Sequence, residues 1–142
     1  MPLRRLLSLA AFAALTSCGQ PAPAPEAPAA QQDGGQIVVE TPPAGARLQS
    51  PLVVSGEAPN NWFFEAVFPA VLVGADGRVI AEAPAEAQSD WTEPGMIRFR
   101  AQLVYVITEE TPATLVLQED MPTGLAGERE VRIPVTLLPP QR

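Results

Sequence analysis

Residues 97–105 read IRFRAQLVY, and this stretch decides the fold class of the chain. Its apolar side chains alternate with Arg98, Arg100 and Gln102, so in an extended strand the two sets point to opposite faces. Alternation with a period of two is typical of an antiparallel strand that buries one face and exposes the other. We therefore expect a strand here, with Arg98 and Arg100 on its solvent-facing side.

The same alternation recurs along most of the chain. It is found in residues 37–40, 52–57, 115–117 and 131–137, and no window of comparable length shows a helical stripe. The 17 prolines also recur too often for long helices. Seven or eight short strands over about 100 residues predict an all-β, antiparallel β-sandwich, with a closed barrel as the alternative.

Turn-forming residues separate the predicted strands. Asp76-Gly77 lies between two apolar runs and is a strong signal for a hairpin with a primed turn. Further breaks fall at residues 42–45, 59–61, 94–95, 111–112 and 121–127. The last of these is predicted to be a solvent-exposed connection, and a mobile recognition loop is the alternative.

The N-terminal segment has the features of a bacterial export signal. Two arginines precede an apolar run over residues 6–15, and two small residues then lead to Cys18. The run 15–18 resembles the lipobox of bacterial lipoproteins, whose cysteine becomes the first residue of the mature protein and carries a diacylglyceryl group. The alternative is an ordinary signal peptide with a cysteine near its cleavage site.

This resemblance divides the chain into three parts. Residues 1–17 are predicted to be a lipoprotein signal peptide, residues 18–36 a lipidated cysteine with a Pro/Ala-rich tether, and residues 37–142 the β-sandwich. The apolar run is too short to span a bilayer, which needs about 20 residues. Alternating prolines favour an extended tether that reaches up to roughly 50 Å.

Lipidation would place the protein in the cell envelope. Two acyl chains hold a protein on a membrane stably, whereas one chain does so only marginally. The residue after the cysteine is Gly19 in place of an Asp, and by resemblance to Gram-negative lipoproteins this favours the outer membrane, facing the periplasm, if the cell is Gram-negative.

The residue types that are missing exclude several kinds of chemistry. The chain has no histidine and one cysteine, which excludes Ser-His-Asp and Cys-His catalysis, histidine-based metal sites and an intramolecular disulfide. Carboxylate chemistry and calcium binding remain, with the acidic pairs Glu109-Glu110 and Glu119-Asp120 as candidates. Their spacing matches no EF-hand loop, so we expect solvated loop charges and no metal or other cofactor.

The charge balance argues against nucleic acid as a partner. The formal net charge is −7, and removal of a signal peptide that contains Arg4 and Arg5 makes the mature chain more acidic still. Such a surface repels phosphate backbones and anionic lipid headgroups. The acyl group, rather than a basic patch, is therefore expected to hold the protein on the membrane.

Two segments carry a resemblance to a known domain family. Residues 50–56 read SPLVVSG and residues 62–66 read WFFEA, and matching features continue at Asp76-Gly77 and in residues 131–135. Over residues 37–137 the chain resembles the immunoglobulin-like domain of bacterial spore-germination proteins. The resemblance implies an immunoglobulin-like antiparallel β-sandwich of about seven strands on an extracytoplasmic protein, commonly a lipoprotein, and it implies no catalytic residues.

Glu65 is the one charged residue of the run WFFEAVF. An unpaired charge in so apolar a strand is costly. If the run is a strand, Glu65 shares a face with Phe63, and its expected role is a structural ion pair with Arg98 or Arg100. The alternative is a polar centre in a binding patch that Trp62 and Phe63 anchor.

Together these features predict a lipid-anchored, non-catalytic protein. Its domain is expected to bind another envelope protein or a cell-wall polymer, with Trp62, Glu65, Arg98 and Arg100 as candidate contacts. One alternative is a structural accessory subunit that pairs with a partner through a sheet edge, although prolines within two strands protect some edges. A hydrolase that uses carboxylates alone is the other alternative.

Overall fold

The structure, a computed structural model, describes residues 37–121 and 126–141. The predicted signal peptide, Cys18, the tether and residues 122–125 of the predicted loop lie outside these residues. Within the described part, no helix is long and apolar enough to cross a bilayer.

Eight β-strands and one short 3₁₀ turn make up the described fold, and the predicted all-β class is confirmed. The strands form one curled, mixed sheet in the order β1-β3-β6-β5-β4-β7-β8-β2. In chain order the elements are β1 (Val38–Thr41), β2 (Arg47–Leu48), β3 (Leu52–Pro59), the 3₁₀ turn (Asn60–Trp62), β4 (Val67–Gly74), β5 (Val79–Ala87), β6 (Met96–Leu103), β7 (Thr111–Asp120) and β8 (Ala126–Leu137).

The sheet curls into two layers because the ladder between β5 and β6 is very short. These strands pair only at Glu86 with Arg100 and at Ala87 with Phe99. Further along β5 stands Pro84, which has no N–H to continue the ladder. Strands β1, β3 and β6 therefore form one layer and the other five strands the second. Phe68 of β4 meets Phe99 of β6 across the interior, with ring centres 5.0 Å apart.

The core is built from the alternating positions that the sequence predicts. Along β6 every second residue is buried, and the arginines between them are exposed. The same alternation holds in β3 and β4. The most completely buried large side chains are Trp62, Phe68, Phe99, Ile37, Leu72, Leu103, Leu115, Leu117 and Leu137.

The hairpin predicted at Asp76-Gly77 is confirmed, but its turn is not of the primed type, because the central residues Ala75 and Asp76 have no positive φ. It joins β4 to β5, and Gly77 takes a positive φ of 81°, a conformation that glycine adopts without steric cost. The Asp76 carboxylate accepts a hydrogen bond from the Arg78 N–H at 3.1 Å and fixes the turn.

The first edge strand is split, which the sequence pattern did not predict. The chain breaks at Pro42 and Pro43, crosses to the second layer, and Gly45 donates its N–H to the Pro134 carbonyl at 2.7 Å. There β2 pairs in parallel with the end of β8. With only two residues in β2, no alternation exists to reveal it, and this pair makes the otherwise antiparallel sheet mixed.

The strand directions give the sandwich two distinct ends. β1 begins at the end that also carries residues 60–66 and 88–95, which we call the N-terminal end. The opposite end carries residues 49–51, 75–78, 104–110 and 138–141, and we call it the far end. A chain that enters at Ile37 therefore reaches the domain on the side away from the far end.

Candidate functional site

Trp62 and Phe63 lie in the core and are not surface contacts. Pro59 begins a 3₁₀ turn at the end of β3, so the period of two is lost before Trp62. The Trp62 side chain is 0% exposed and that of Phe63 only 4%. Both rings pack edge to face on Phe68, with centres 5.7 and 5.1 Å from it. The predicted role of Trp62 as an exposed binding anchor is corrected accordingly.

Glu65 lies in a tight turn and not in a strand. Its φ is 51° and that of Ala66 is 68°, two left-handed residues in succession. Phe64 and Val67 close the turn by exchanging backbone hydrogen bonds of 3.0 and 3.2 Å. The turn carries the Glu65 carboxylate into solvent at the N-terminal end. No ion pair joins it to Arg98 or Arg100, so the predicted structural pair is wrong.

Arg98 and Arg100 are exposed on the outer face of β6, as the alternation predicts. Arg98 approaches Glu40 of β1 at 3.7 Å. Both arginines line a shallow depression of about 350 Å³ together with Ser55 and Gln88. Acidic residues stand beside them, so the face is mixed in charge and does not select an anion by charge alone.

A partly buried ion pair that the sequence did not reveal lies between Glu119 and Arg129. Glu119 is 6% exposed, and its carboxylate accepts hydrogen bonds from the Arg129 backbone N–H at 3.1 Å and from Nε of the same residue. The guanidinium carbon also lies 5.6 Å from the ring centre of Trp62. The pattern in β7 contained the signal, because Leu115, Leu117 and Glu119 share the inward face.

Near Trp62, the hydrogen bonding around this ion pair is incomplete among the described residues. Arg129 donates a third hydrogen bond to the Asn61 carbonyl at 3.3 Å. The buried Trp62 Nε1 has no hydrogen-bond partner there. The Arg129 guanidinium therefore makes a cation–π contact with the Trp62 ring. Its hydrogen bond to Asn61 also links the 3₁₀ turn to β8.

The acidic pairs do not converge on a calcium site. Glu109-Glu110 precedes β7 and Glu119-Asp120 ends it, so the two pairs lie at opposite ends of one strand. Glu110 binds Arg47 through two hydrogen bonds of 2.7 Å, which hold the pKa of the Glu110 carboxyl below its usual range. No group of three potential metal ligands is present in the described segments.

A hollow at the far end is mainly apolar. It has a volume of about 530 Å³, and none of the described residues that line it is charged. Val104 and Val106 stand at its rim with 68% and 88% of their surface exposed. The lining residues are Gln49, Ser50, Val104, Tyr105, Val106, Ile107, Leu138, Pro140 and Gln141, and we call this hollow the far-end groove.

Tyr105 fixes the floor of the far-end groove. Its hydroxyl donates to the Leu48 carbonyl at 2.7 Å, and its backbone N–H donates to the Ser50 hydroxyl at 3.0 Å. Burial raises the pKa of the Tyr105 phenol. On the other side of Val106 and Ile107 lies a second hollow of about 490 Å³, so this loop stands between two concave surfaces.

Comparison with known protein families agrees with this fold. The family model described as the immunoglobulin-like domain of bacterial spore germination matches residues 36–125. The chain belongs to this family. Membership suggests a non-catalytic domain, and the curled sheet is an immunoglobulin-like fold. Comparison with curated proteins and with solved structures gives no match.

Proposed function

We propose that the protein is a lipid-anchored envelope protein whose immunoglobulin-like domain binds another envelope protein without catalysing a reaction. The observation that supports this most directly is the position of the far-end groove. The chain enters the domain at Ile37, and the groove with Val104 and Val106 lies at the opposite end of the sandwich. A tethered domain with this arrangement presents an uncharged apolar surface away from its anchor.

The proposed anchor is Cys18. Its lipobox-like context, followed by a Pro/Ala-rich tether, supports a diacylglyceryl cysteine, and in a Gram-negative cell Gly19 favours the outer membrane, facing the periplasm. Confinement on one membrane raises the effective concentration of the domain toward partners in the same envelope. Such a domain can bind through a modest surface and still remain associated.

A protein partner fits the surface better than a cell-wall polymer. Ligand pockets are lined by apolar and aromatic side chains, with a few precisely placed polar groups that orient the ligand. Here the aromatic side chains are mostly withdrawn, since Trp62, Phe63, Phe68, Phe99 and Tyr105 are all buried. Exposed valines beside an uncharged hollow suit the apolar side chains of a protein partner.

The anchor is tested by mass spectrometry of the N-terminal peptide from membranes of cells that express the full chain. We expect a peptide that begins at Cys18 and carries the mass of a diacylglyceryl group. The Cys18→Ser variant is the control and should lack that mass. A wild-type peptide that begins at another residue, or that carries no lipid, would contradict the proposal.

The binding surface is tested by measuring the size of the native complex after extraction of the full chain in mild detergent. In the double variant V104S/V106S the amount of complex should fall at least about tenfold, which corresponds to a loss of about 1.4 kcal/mol of binding free energy. The double variant R98S/R100S is the matched control and should retain most of it. The reverse result would move binding to the outer face of β6, and dissociation by a wall-degrading enzyme would identify a polymer instead.

A further inference from the structure

One edge of the five-stranded layer is only partly covered. β8 pairs with β7 along its length, but on its other side β2 covers only Thr136 and Leu137. Two contacts from the preceding segment extend this cover, from Gly45 to the Pro134 carbonyl and from Thr136 to the Ala46 carbonyl. Upstream of Pro134 the described structure places no strand beside β8.

These contacts establish which backbone groups of β8 point outward. The Pro134 carbonyl and the Thr136 N–H both point away from β7. In an antiparallel ladder, residues two apart direct their N–H and C=O groups to the same side. The N–H and C=O groups of Glu130 and Arg132 therefore point outward as well, and no backbone group of the described residues pairs with them.

The open part of this edge is bounded at both ends. On one side the ladder shifts register between Gln118 and Asp120, and the Arg129 N–H turns to the Glu119 carboxylate. On the other side stands Pro134, which has no N–H, with Gly45 next to it. The open window thus covers residues 129–133, about 17 Å of strand at 3.3–3.4 Å per residue.

We propose that this window binds a short extended peptide from another polypeptide, which adds to the sheet as a further strand. The outward groups of Glu130 and Arg132 would form its backbone hydrogen bonds. On the outer face their side chains form a 2.7 Å ion pair that remains largely exposed. The matching peptide carries a basic residue opposite Glu130 and an acidic residue opposite Arg132.

The bounds of the window exclude a second copy of the whole strand as the occupant. A copy of β8 laid antiparallel along residues 129–133 would continue beside Pro134 and Thr136. That position is taken by Gly45 and Ala46, which hydrogen-bond to β8 there. A peptide of about five residues fits between the two limits. This binding surface is separate from the far-end groove and goes beyond the function proposed above.

The test uses a photo-cross-linking amino acid at position 130 of the full lipidated chain in intact cells. A second substitution in the same chain, Arg132→Pro, removes one outward N–H and leaves the hydrogen bonds between β8 and β7 in place. Pro134 has the same effect naturally two residues later. Arg132→Ala, introduced beside the same probe, removes only the side chain and keeps the N–H, so it is the matched control. We expect the proline to reduce the adduct about tenfold, which corresponds to about 1.4 kcal/mol, and the alanine to retain at least half of it.

Two readouts keep this test decisive. The melting temperature of each purified variant shows whether the fold survives. If Arg132→Pro does not fold, hydrogen exchange of the Glu130 and Arg132 amides in the wild-type chain replaces it. We expect slower exchange in the native envelope than in the purified protein. An adduct that survives the proline, the absence of any adduct, or equal exchange in both settings would overturn the proposal. The same probe at position 106 reports on the far-end groove separately.

Discussion

At the scale of single residues, Glu119 shows how burial changes the value of a charge. The carboxylate is 6% exposed, and Arg129 satisfies both of its oxygens. Removing one partner of a buried pair leaves the other charge without compensation. Because the Arg129 side chain is 29% exposed, water can solvate part of its charge, and we expect Glu119→Ala to lower the free energy of unfolding by about 2 kcal/mol, measured by urea denaturation.

The matched control is Glu130→Ala on the next strand. Glu130 also pairs with an arginine, Arg132 at 2.7 Å, but both side chains are exposed. An exposed pair contributes about 0–1 kcal/mol, so this variant should lose no more than that. Equal losses for Glu119→Ala and Glu130→Ala would show that the burial of Glu119 is not what makes its pair important.

Tyr105 gives a pH dependence whose sign follows from its burial. The raised pKa means that the native state favours the neutral phenol. Its stabilising contribution is therefore complete below the ordinary pKa of about 10 and is lost as the pH rises through and above that value. The chain has one tyrosine, so the absorbance of tyrosinate reports on this group alone.

We expect the tyrosinate midpoint to lie above 10 in the folded protein and at about 10 in urea. The Tyr105→Phe variant should cost about 1 kcal/mol for the lost hydrogen bond to the Leu48 carbonyl. It should also lose the part of the alkaline destabilisation that comes from this residue. A folded midpoint at or below 10 would mean that Tyr105 is solvated.

At the scale of the elements, alternation predicts the strands well and their interruptions poorly. β6 has the burial pattern that its sequence predicts, and with it the exposed positions of Arg98 and Arg100. The strand predicted over residues 62–68 is wrong over most of its length, because a 3₁₀ turn follows Pro59 and a left-handed turn follows at Glu65. Left-handed conformations are rare outside glycine, so nothing in the residue types announced this turn.

The far-end groove was not predictable from any local pattern. Its walls come from residues 49–50, 104–107 and 138–141, three segments that are far apart in the sequence. Only the strand order brings them together, and periodicity gives no strand order. The buried position of Glu119, in contrast, follows from simple alternation in β7 and could have been predicted.

Gly56 is the point where the first edge strand rests most closely on the sheet. It pairs with Val39 of β1, and an added Cβ would overlap the Val38 carbonyl. We expect Gly56→Ala to displace β1 and to cost about 1–3 kcal/mol, the usual range for overpacking. Faster hydrogen exchange at Val38 and Val39, with a lower melting temperature, would show this.

Ser55→Ala is the control for this prediction. Ser55 is the neighbouring residue in β3 and pairs with Thr41, but its side chain is only partly buried on the outer face. Its replacement should change the melting temperature little. If Gly56→Ala is as stable as Ser55→Ala and β1 exchanges no faster, the close approach of the two strands is not a real constraint.

At the scale of the whole molecule, the arrangement of its ends is the basis of the proposed function. A chain that enters at Ile37 reaches the domain at the end opposite the far end, and the two most exposed large apolar side chains among the described residues, Val104 and Val106, lie at the far end. The rest of the surface is acidic in balance, with a net charge of −7 for the full sequence. We propose that a partner binds at this apolar patch, because its described lining carries no charge that would repel an acidic protein.

The most direct test is photo-cross-linking from position 106 in the full lipidated chain in intact cells, with the same probe at position 65 as the control. Val106 lies at the far end and Glu65 at the N-terminal end, and both are exposed. We predict a discrete protein adduct from position 106 and none from position 65. No adduct from position 106, or an adduct of equal yield from position 65, would contradict a tethered domain that binds through its far end.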